Sequence, residues 1–382
     1  MDVYINDISA FLPNNPVSNN EMEAVLGMIN NIPSRTRKLV LRNNNIKTRY
    51  YAINLDSGKQ SHTNAQLTAE AVRRLNPYSG FSLNEIQHLC CGTSTPDQIM
   101  PGHGLMVQGE LGIGPCEVVT TSGICLSGVT AFKIACMNVA MGFSKNAVAT
   151  GSETASSYIK SQMGQSIDPQ KIDEINRRPV LSFEEDFLRW MLSDGAGAVF
   201  LSGSPRKEGL SLKIEWIEIL SYANEFNTCM YAGACSSNDN STKGWREFSS
   251  LHEAVNMGVF NIKQDVKLLN ENIVTVSVNR AMKHVVNKYS LDPDKISWFL
   301  PHYSSNYFRK PLFDRMNEIG FGISESRWFT NLEYKGNTGA ASIYIILEEL
   351  FHSDKIRKGD TLLCFIPESG RFSIGYMLLT AC

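Results

Sequence analysis

Residues 116–153 read CEVVTTSGICLSGVTAFKIACMNVAMGFSKNAVATGSE. CEVVTT is a short run of strand-forming residues. SGVTAFKIACMNVAMG places its apolar residues at helical spacing and ends in Gly142, a residue suited to stopping a helix. NAVATGSE is a second strand. Strand, helix and strand in this order form the unit that builds parallel sheets covered by helices on both faces. The unit puts Cys125 at the turn from strand to helix.

The same alternation continues outward. VYINDISAF (3–11) reads as a strand at the N-terminus, and IQHLCCGTST (86–95) as a buried strand in which the adjacent Cys90 and Cys91 face opposite sides. In the second half, KISWFLPHYSS (295–305) is a strand running into polar residues. GNTGAASIYIILEELF (336–351) opens as a Gly/Asn turn and continues as an apolar helix, and TLLCFIPESG with RFSIGYMLLTA (361–381) reads as a closing pair of strands. The expected class is α/β in two pseudo-repeated halves, 1–205 and 206–382, each carrying reactive residues at strand ends, where sites form in open α/β sheets. Two stretches break the pattern. Residues 155–190 include a polar segment of mixed charge, and residues 222–250 read as a long Ser/Asn/Gly-rich excursion of the kind that covers active sites.

The 382 residues suit two domain-sized halves, and 43% hydrophobic with 19% charged residues is ordinary for a globular enzyme. A net charge of −2 gives no field that would attract nucleic acid. With no run of 18 apolar residues and no basic-then-apolar leader, the expectation is a cytoplasmic chain without membrane segments. Nine cysteines, an odd number with no C-x-x-C pair, point to reduced thiols rather than disulfides or zinc. No metal and no cofactor are expected.

Four positions could carry chemistry. Cys125 precedes a buried helix, whose positive end and free amides favour a thiolate able to take up an acyl group; read from spacing alone it is equally a buried structural cysteine. His302, at a strand end, could donate to a thioester oxygen or move a proton, or be a satisfied structural histidine. The amide of Asn337 could pair with it to hold an enolate oxygen, or Asn337 could be an N-cap. Gly370 would let a backbone N–H approach a substrate and, with the Cys125 N–H, form an oxyanion hole, or it could be only a hairpin turn. Of the other histidines, His103 lies in a turn or strand-end context, and His62, His88, His252, His284 and His352 read as surface or helix positions.

Together these residues resemble the β-ketoacyl-acyl carrier protein synthase III family. The resemblance spans nearly the whole chain, through TSTPDQIMPG, the cysteine segment with ATGSE, SDGAGAVF, PHYSSN, GNTGAAS and ESGRFSIG. It implies a five-layered α-β-α-β-α thiolase fold and a homodimer. It implies Cys125 as acyl acceptor, His302 and Asn337 as the rest of a triad, and Cys125 with Gly370 as oxyanion donors. Met100 matches the family position that reaches into the partner's acyl pocket.

The chain also departs from that family. RNNNIKTRYYA keeps the basic N-terminal segment, but the family's coenzyme A-stacking tryptophan falls near Leu39, which favours carrier-protein-bound acyl groups. HYSSN replaces the usual HQAN. Lys47, Arg49 and Arg309 are candidates for meeting an acidic acyl carrier protein, or are merely solvated surface charge. The chain looks closer to the branch that makes dialkylresorcinol and stilbene precursors by joining a β-ketoacyl to an α,β-unsaturated acyl thioester and closing a cyclohexanedione. That reaction, having no decarboxylation, needs a base, and Glu153 in ATGSETAS is the candidate, with a purely structural carboxylate as its alternative. Rival readings are a decarboxylating synthase using malonyl-carrier, an ester-forming acyltransferase of the same fold, and a non-catalytic partner subunit.

Overall fold

A computed structural model describes residues 1–29, 33–34, 36–161, 187–236 and 241–382. Its framework is a nine-stranded mixed sheet: β1 (Tyr4–Phe11), β2 (His88–Thr93), β3 (Glu117–Ser122), β4 (Asn146–Glu153), β5 (Gly195–Ser202), β6 (Leu212–Ser221), β7 (Trp298–Pro301), β8 (Thr361–Glu368) and β9 (Ser373–Ala381). Their order across the sheet is β7-β8-β9-β6-β1-β5-β4-β2-β3. The five strands from residues 4–202 adjoin one another, as do the four from 212–381, and the sets meet only where Tyr4 and Ile5 pair with Lys213 and Leu212. As expected, β2 runs parallel to both β3 and β4, and β8 and β9 form an antiparallel hairpin.

Helices complete five layers. On the outer face of the first set lie α1 (Asn64–Arg73) and α2 (His103–Leu111). Between the two sets lie α3 (Leu126–Ala140) and, from the second half, α4 (Ser342–Phe351), both touching strands of each set. Helix α5 (Val266–Thr275), prolonged by a π-helical turn over Val276–Met282, packs with α6 (Arg309–Glu318) on the far face. The period-2 alternation of buried strands makes this possible. Cys90 joins the central core with Phe132 and Leu347, while Leu89 and Cys91 join the outer core with Leu67 and Val107. In β8, Cys364 faces the centre, and Leu363 and Phe365 face α5.

The two central helices meet almost backbone to backbone. A Cβ on Gly128 would lie 2.4 Å from the Ala340 carbonyl oxygen, and one on Gly151 would lie 2.2 Å from it. Only glycine allows that approach. Tyr344 seals it by donating from its hydroxyl to the Gly128 carbonyl at 2.7 Å. This contact brings the start of α3, with its cysteine, to the start of α4, with GNTG.

Candidate active site

Cys125 is the residue before the first turn of α3, delivered there by β3 and the tight Ser122–Gly123–Ile124 turn. His302 follows β7 directly and is buried, and its backbone N–H donates to the Phe365 carbonyl at 2.8 Å. Asn337 is fixed from both sides: its N–H donates to the Met191 carbonyl at 3.0 Å and its carbonyl accepts from Ser193 at 2.8 Å. Its Oδ1 accepts from the Gly339 N–H at 3.0 Å, closing an Asx-type turn rather than capping α4, and this leaves the Nδ2 donors for the cavity. Cys125, His302, Asn337 and Glu153, from four separate segments, line one cavity.

Glu153 ends β4 and is 3% exposed. Its Oε2 accepts from the hydroxyls of Ser94 (2.7 Å) and Thr95 (2.8 Å), and its Oε1 from the amides of Ser94 (3.2 Å) and Ala340 (3.1 Å). Burial pushes its carboxyl up to about 7, against the pull of those four donors. Both the base and the structural expectation for this residue thus have their geometry: the carboxylate is held by neighbours and opens on the cavity. Burial lowers His302 to about 4, so its imidazole is neutral at pH 7, and no hydrogen bond ties its ring among the described residues.

For Cys125 the electrostatics reverse the expectation. Burial, then the Glu368 carboxylate, then the Glu153 carboxylate raise the thiol well above its ordinary value, so the resting sulfur is a thiol and not a thiolate. Burial is the largest of these causes, and the Glu368 carboxyl lies at the start of the helix. Glu368 Oε2 accepts from the Ile124 N–H at 3.1 Å and the Leu126 N–H at 2.9 Å. Glu368, Ser94 and Thr95 were not singled out in the sequence. The TST of TSTPDQ and the E of PESG are visible signals, but only folding shows which carboxylate or amide they meet.

Beyond this polar end the cavity becomes an apolar arm walled by Leu192, Leu269, Ile273, Phe308, Leu312 and Phe365. Met230, from the 222–250 excursion, lines it too, in the short pairing of Met230–Tyr231 with Lys263–Gln264; residues 237–240 of that excursion, and most of the mixed-charge stretch (162–186), lie outside the described residues. Gly370 packs on Ile124, beside the Cys125 turn, and its carbonyl accepts from the Cys229 N–H at 2.8 Å. Met100 is 78% exposed and outside this chain's own cavity.

The remaining candidates divide. Arg49 is fully buried, donating to Asn19 Oδ1 and the Trp190 carbonyl, both at 2.5 Å, and burial lowers it to about 10. It is out of reach of any docking protein and holds the core instead. Lys47 is exposed and paired with Glu333. Arg309 is partly exposed, paired with Glu325 at 3.0 Å and donating to the Tyr303 hydroxyl at 3.1 Å on the cavity wall. His88 is a correction: it begins β2, second from one edge of the sheet, and is 1% exposed, within 3.0 Å of Glu117 and 2.8 Å of Cys90 Sγ. His103 starts α2 and is buried behind β4, its Nε2 3.1 Å from the Ser152 hydroxyl. All nine cysteines are free, no metal-binding cluster occurs among the described residues, and no described helix is long and apolar enough to cross a membrane.

Residues 286–378 match the family model for the 3-oxoacyl-[acyl-carrier-protein] synthase III C terminal. The β-ketoacyl-[acyl-carrier-protein] synthase III of Neisseria gonorrhoeae (strain FA 1090) is 25% identical over 381 residues, 98% of each chain, and that of Clostridium perfringens (strain SM101) is 25% identical over 92% of this chain and 91% of its own. Among solved structures, AbyA1, a tetronic acid condensing enzyme, superposes with a TM-score of 0.74 at 17% identity over 99% of both chains. OleA of Xanthomonas campestris, solved with lauric acid and lauroyl-CoA, does so with a TM-score of 0.74 at 15% identity over 100% of this chain and 99% of its own. Residues 286–378 are thus similar to the C-terminal part of the 3-oxoacyl-[acyl-carrier-protein] synthases III, the whole chain is similar in sequence to enzymes of that name, and its fold is the one AbyA1 and OleA share.

Proposed function

We propose that the chain forms carbon–carbon bonds between acyl thioesters through an acyl group held on Cys125, and that it joins a β-ketoacyl to an α,β-unsaturated acyl unit to make a cyclohexanedione, a dialkylresorcinol or stilbene precursor. The observation that carries the finer reading is the buried Glu153 carboxyl, poised near neutrality in the same cavity as the thiol. A condensation driven by loss of carbon dioxide has no need of such a group. Removing a proton from the carbon between two carbonyls does, and a base with a pKa near the working pH is the efficient one.

In this account the neutral His302 takes the Cys125 proton as the sulfur attacks the donor carbonyl. The oxyanion rests on the N–H groups of Cys125 and Gly370, and the carrier's phosphopantetheine thiol leaves with a proton. A second acyl thioester enters with its carbonyl held by His302 and Asn337. Glu153 removes the proton, and the carbanion adds to the unsaturated acyl unit. A second attack, on the Cys125 thioester carbonyl, closes the ring and frees the enzyme. The apolar arm receives the acyl chain. Acyl carrier protein is the proposed donor's carrier, in keeping with the names of the relatives, with Lys47 and Arg309 as its contacts. A homodimer in which Met100 enters the partner's acyl pocket fits the exposure of that side chain.

Glu153→Gln tests the choice. Ring formation from the β-ketoacyl and unsaturated pair is expected to disappear, with Cys125 acylation retained. Extension with malonyl-carrier that survives the substitution, with no ring formed by either protein, favours the decarboxylating alternative.

A further inference from the structure

Glu368 stands at the end of β8, and its carboxylate reaches across to the turn that carries the nucleophile, 242 residues earlier. The two amides it occupies, those of Ile124 and Leu126, flank the amide of Cys125. Two glycines flank it in ordinary contact: a Cβ on Gly123 would lie 3.7 Å from Oε2, and a Cβ on Gly370 would lie 3.5 Å from Oε1. Burial raises this carboxyl above its ordinary value, and the two amides pull it back toward the charged form, with no cationic side chain among its described partners. The start of a 15-residue helix normally presents positive potential and free donors to a cysteine placed there. Here an anion already sits on those donors, and the Cys125 N–H makes no backbone hydrogen bond to another described residue.

We propose that Glu368 is a positioning residue that clamps the closing hairpin to the nucleophile turn, reserves the Cys125 amide for the acyl oxygen, and cancels the helix potential so that the sulfur stays a neutral thiol until substrate brings its base into play. A neutral resting thiol is poorly reactive toward stray electrophiles and oxidants, which suits an enzyme that must wait for a specific acyl donor. The groups that face the sulfur are Glu368 from β8, Glu153 from β4, and His302 with Tyr303 after β7. The inference rests on Cys125 as the nucleophile only for its catalytic consequence, because thiol reactivity is measured without substrate.

The test is the pH dependence of Cys125 alkylation by iodoacetamide, which forms an S–C bond, expels iodide and gives the thiol proton to buffer. It is followed on the full chain by peptide mass, with Cys125→Ala as the blank. Glu368→Gln keeps an acceptor oxygen but loses the charge. Its midpoint is expected to fall by about one pH unit, a roughly tenfold faster reaction at pH 7. A folded Glu368→Gln protein, judged by circular dichroism, with the wild-type midpoint overturns the proposal. Should that variant not fold, Glu368→Asp decides, because its shorter side chain draws the charge back from the two amides: a midpoint below the wild-type one supports the proposal, and an unchanged midpoint in the folded variant overturns it. A shifted midpoint in a protein that takes no acyl group leaves this inference standing and sinks the acyl-enzyme reading.

Discussion

Gly339 lies directly against Glu153: a Cβ there would be 2.9 Å from Glu153 Cγ and 3.0 Å from Oε1, the oxygen that accepts the Ala340 N–H at 3.1 Å. Gly339 also has φ of +51°, in the left-handed region. Gly339→Ala therefore meets strain and a carboxylate at once. It is expected to cost about 1–3 kcal/mol in urea unfolding and to lower condensation more than Cys125 acylation, because it displaces the proposed base and not the thiol. Equal loss of both steps would show that the turn serves the whole site and not Glu153 in particular.

Glu153 must be ionised to act as a base, so its rate contribution rises with pH through its folded value of about 7. The condensation rate is expected to climb between pH 6 and 8 in wild type. In Glu153→Gln it is expected to be flat there and roughly a hundredfold lower. His302, already neutral above about 4, cannot supply that limb. A rising limb that survives in Glu153→Gln assigns it to another group.

The same carboxyl makes stability depend on pH. The group releases its proton near 4.5 when exposed and near 7 when folded. The stability attached to it is whole below about 4.5 and is lost as pH rises through 7, with a ceiling of roughly 3 kcal/mol. Glu153→Gln removes this dependence, so the stability of the variant relative to wild type should improve from pH 5 to pH 7.5 in paired urea titrations. A difference independent of pH contradicts the buried-carboxyl assignment. Asp194, also raised by burial, to about 6, has the same sign but is present in both proteins and cancels.

Much of this site was legible in the sequence. Strand–helix–strand periodicity over 116–153 placed Cys125 at its turn, and the period-2 rule sent Cys90 and Cys91 into different cores. Strand ends located His302 and Glu153, and GNTG located the turn of Asn337. What stayed hidden depended on contacts distant in sequence. The helix end was read as favouring a thiolate at Cys125, but burial first, and then Glu368 from the far end of the chain, raise the thiol. Arg49 looked like a docking cation because arginine seldom lies fully buried; the Trp190 carbonyl that holds it is 141 residues away. His88 read as surface because its strand begins there, and burial of that end comes from Glu117 and Cys90 around it.

In the proposed function the apolar arm sets what Cys125 can carry. Leu312 is 2% exposed and lines that arm. Leu312→Phe is expected to lower loading of long acyl groups at least tenfold while sparing short ones, with about 1–3 kcal/mol lost to overpacking. Competition between short and long acyl thioesters, read as acyl mass on the protein, checks it; an unchanged chain-length profile would move the acyl chain elsewhere.

The most direct measurement is intact-protein mass spectrometry after mixing the chain with a panel of acyl-carrier thioesters, comparing wild type with Cys125→Ala. An acyl mass on wild type that is absent from the variant is the expected result. No acyl mass on wild type from any donor, or the same mass on both proteins, would contradict a Cys125-bound intermediate and bring forward a partner subunit without catalysis of its own.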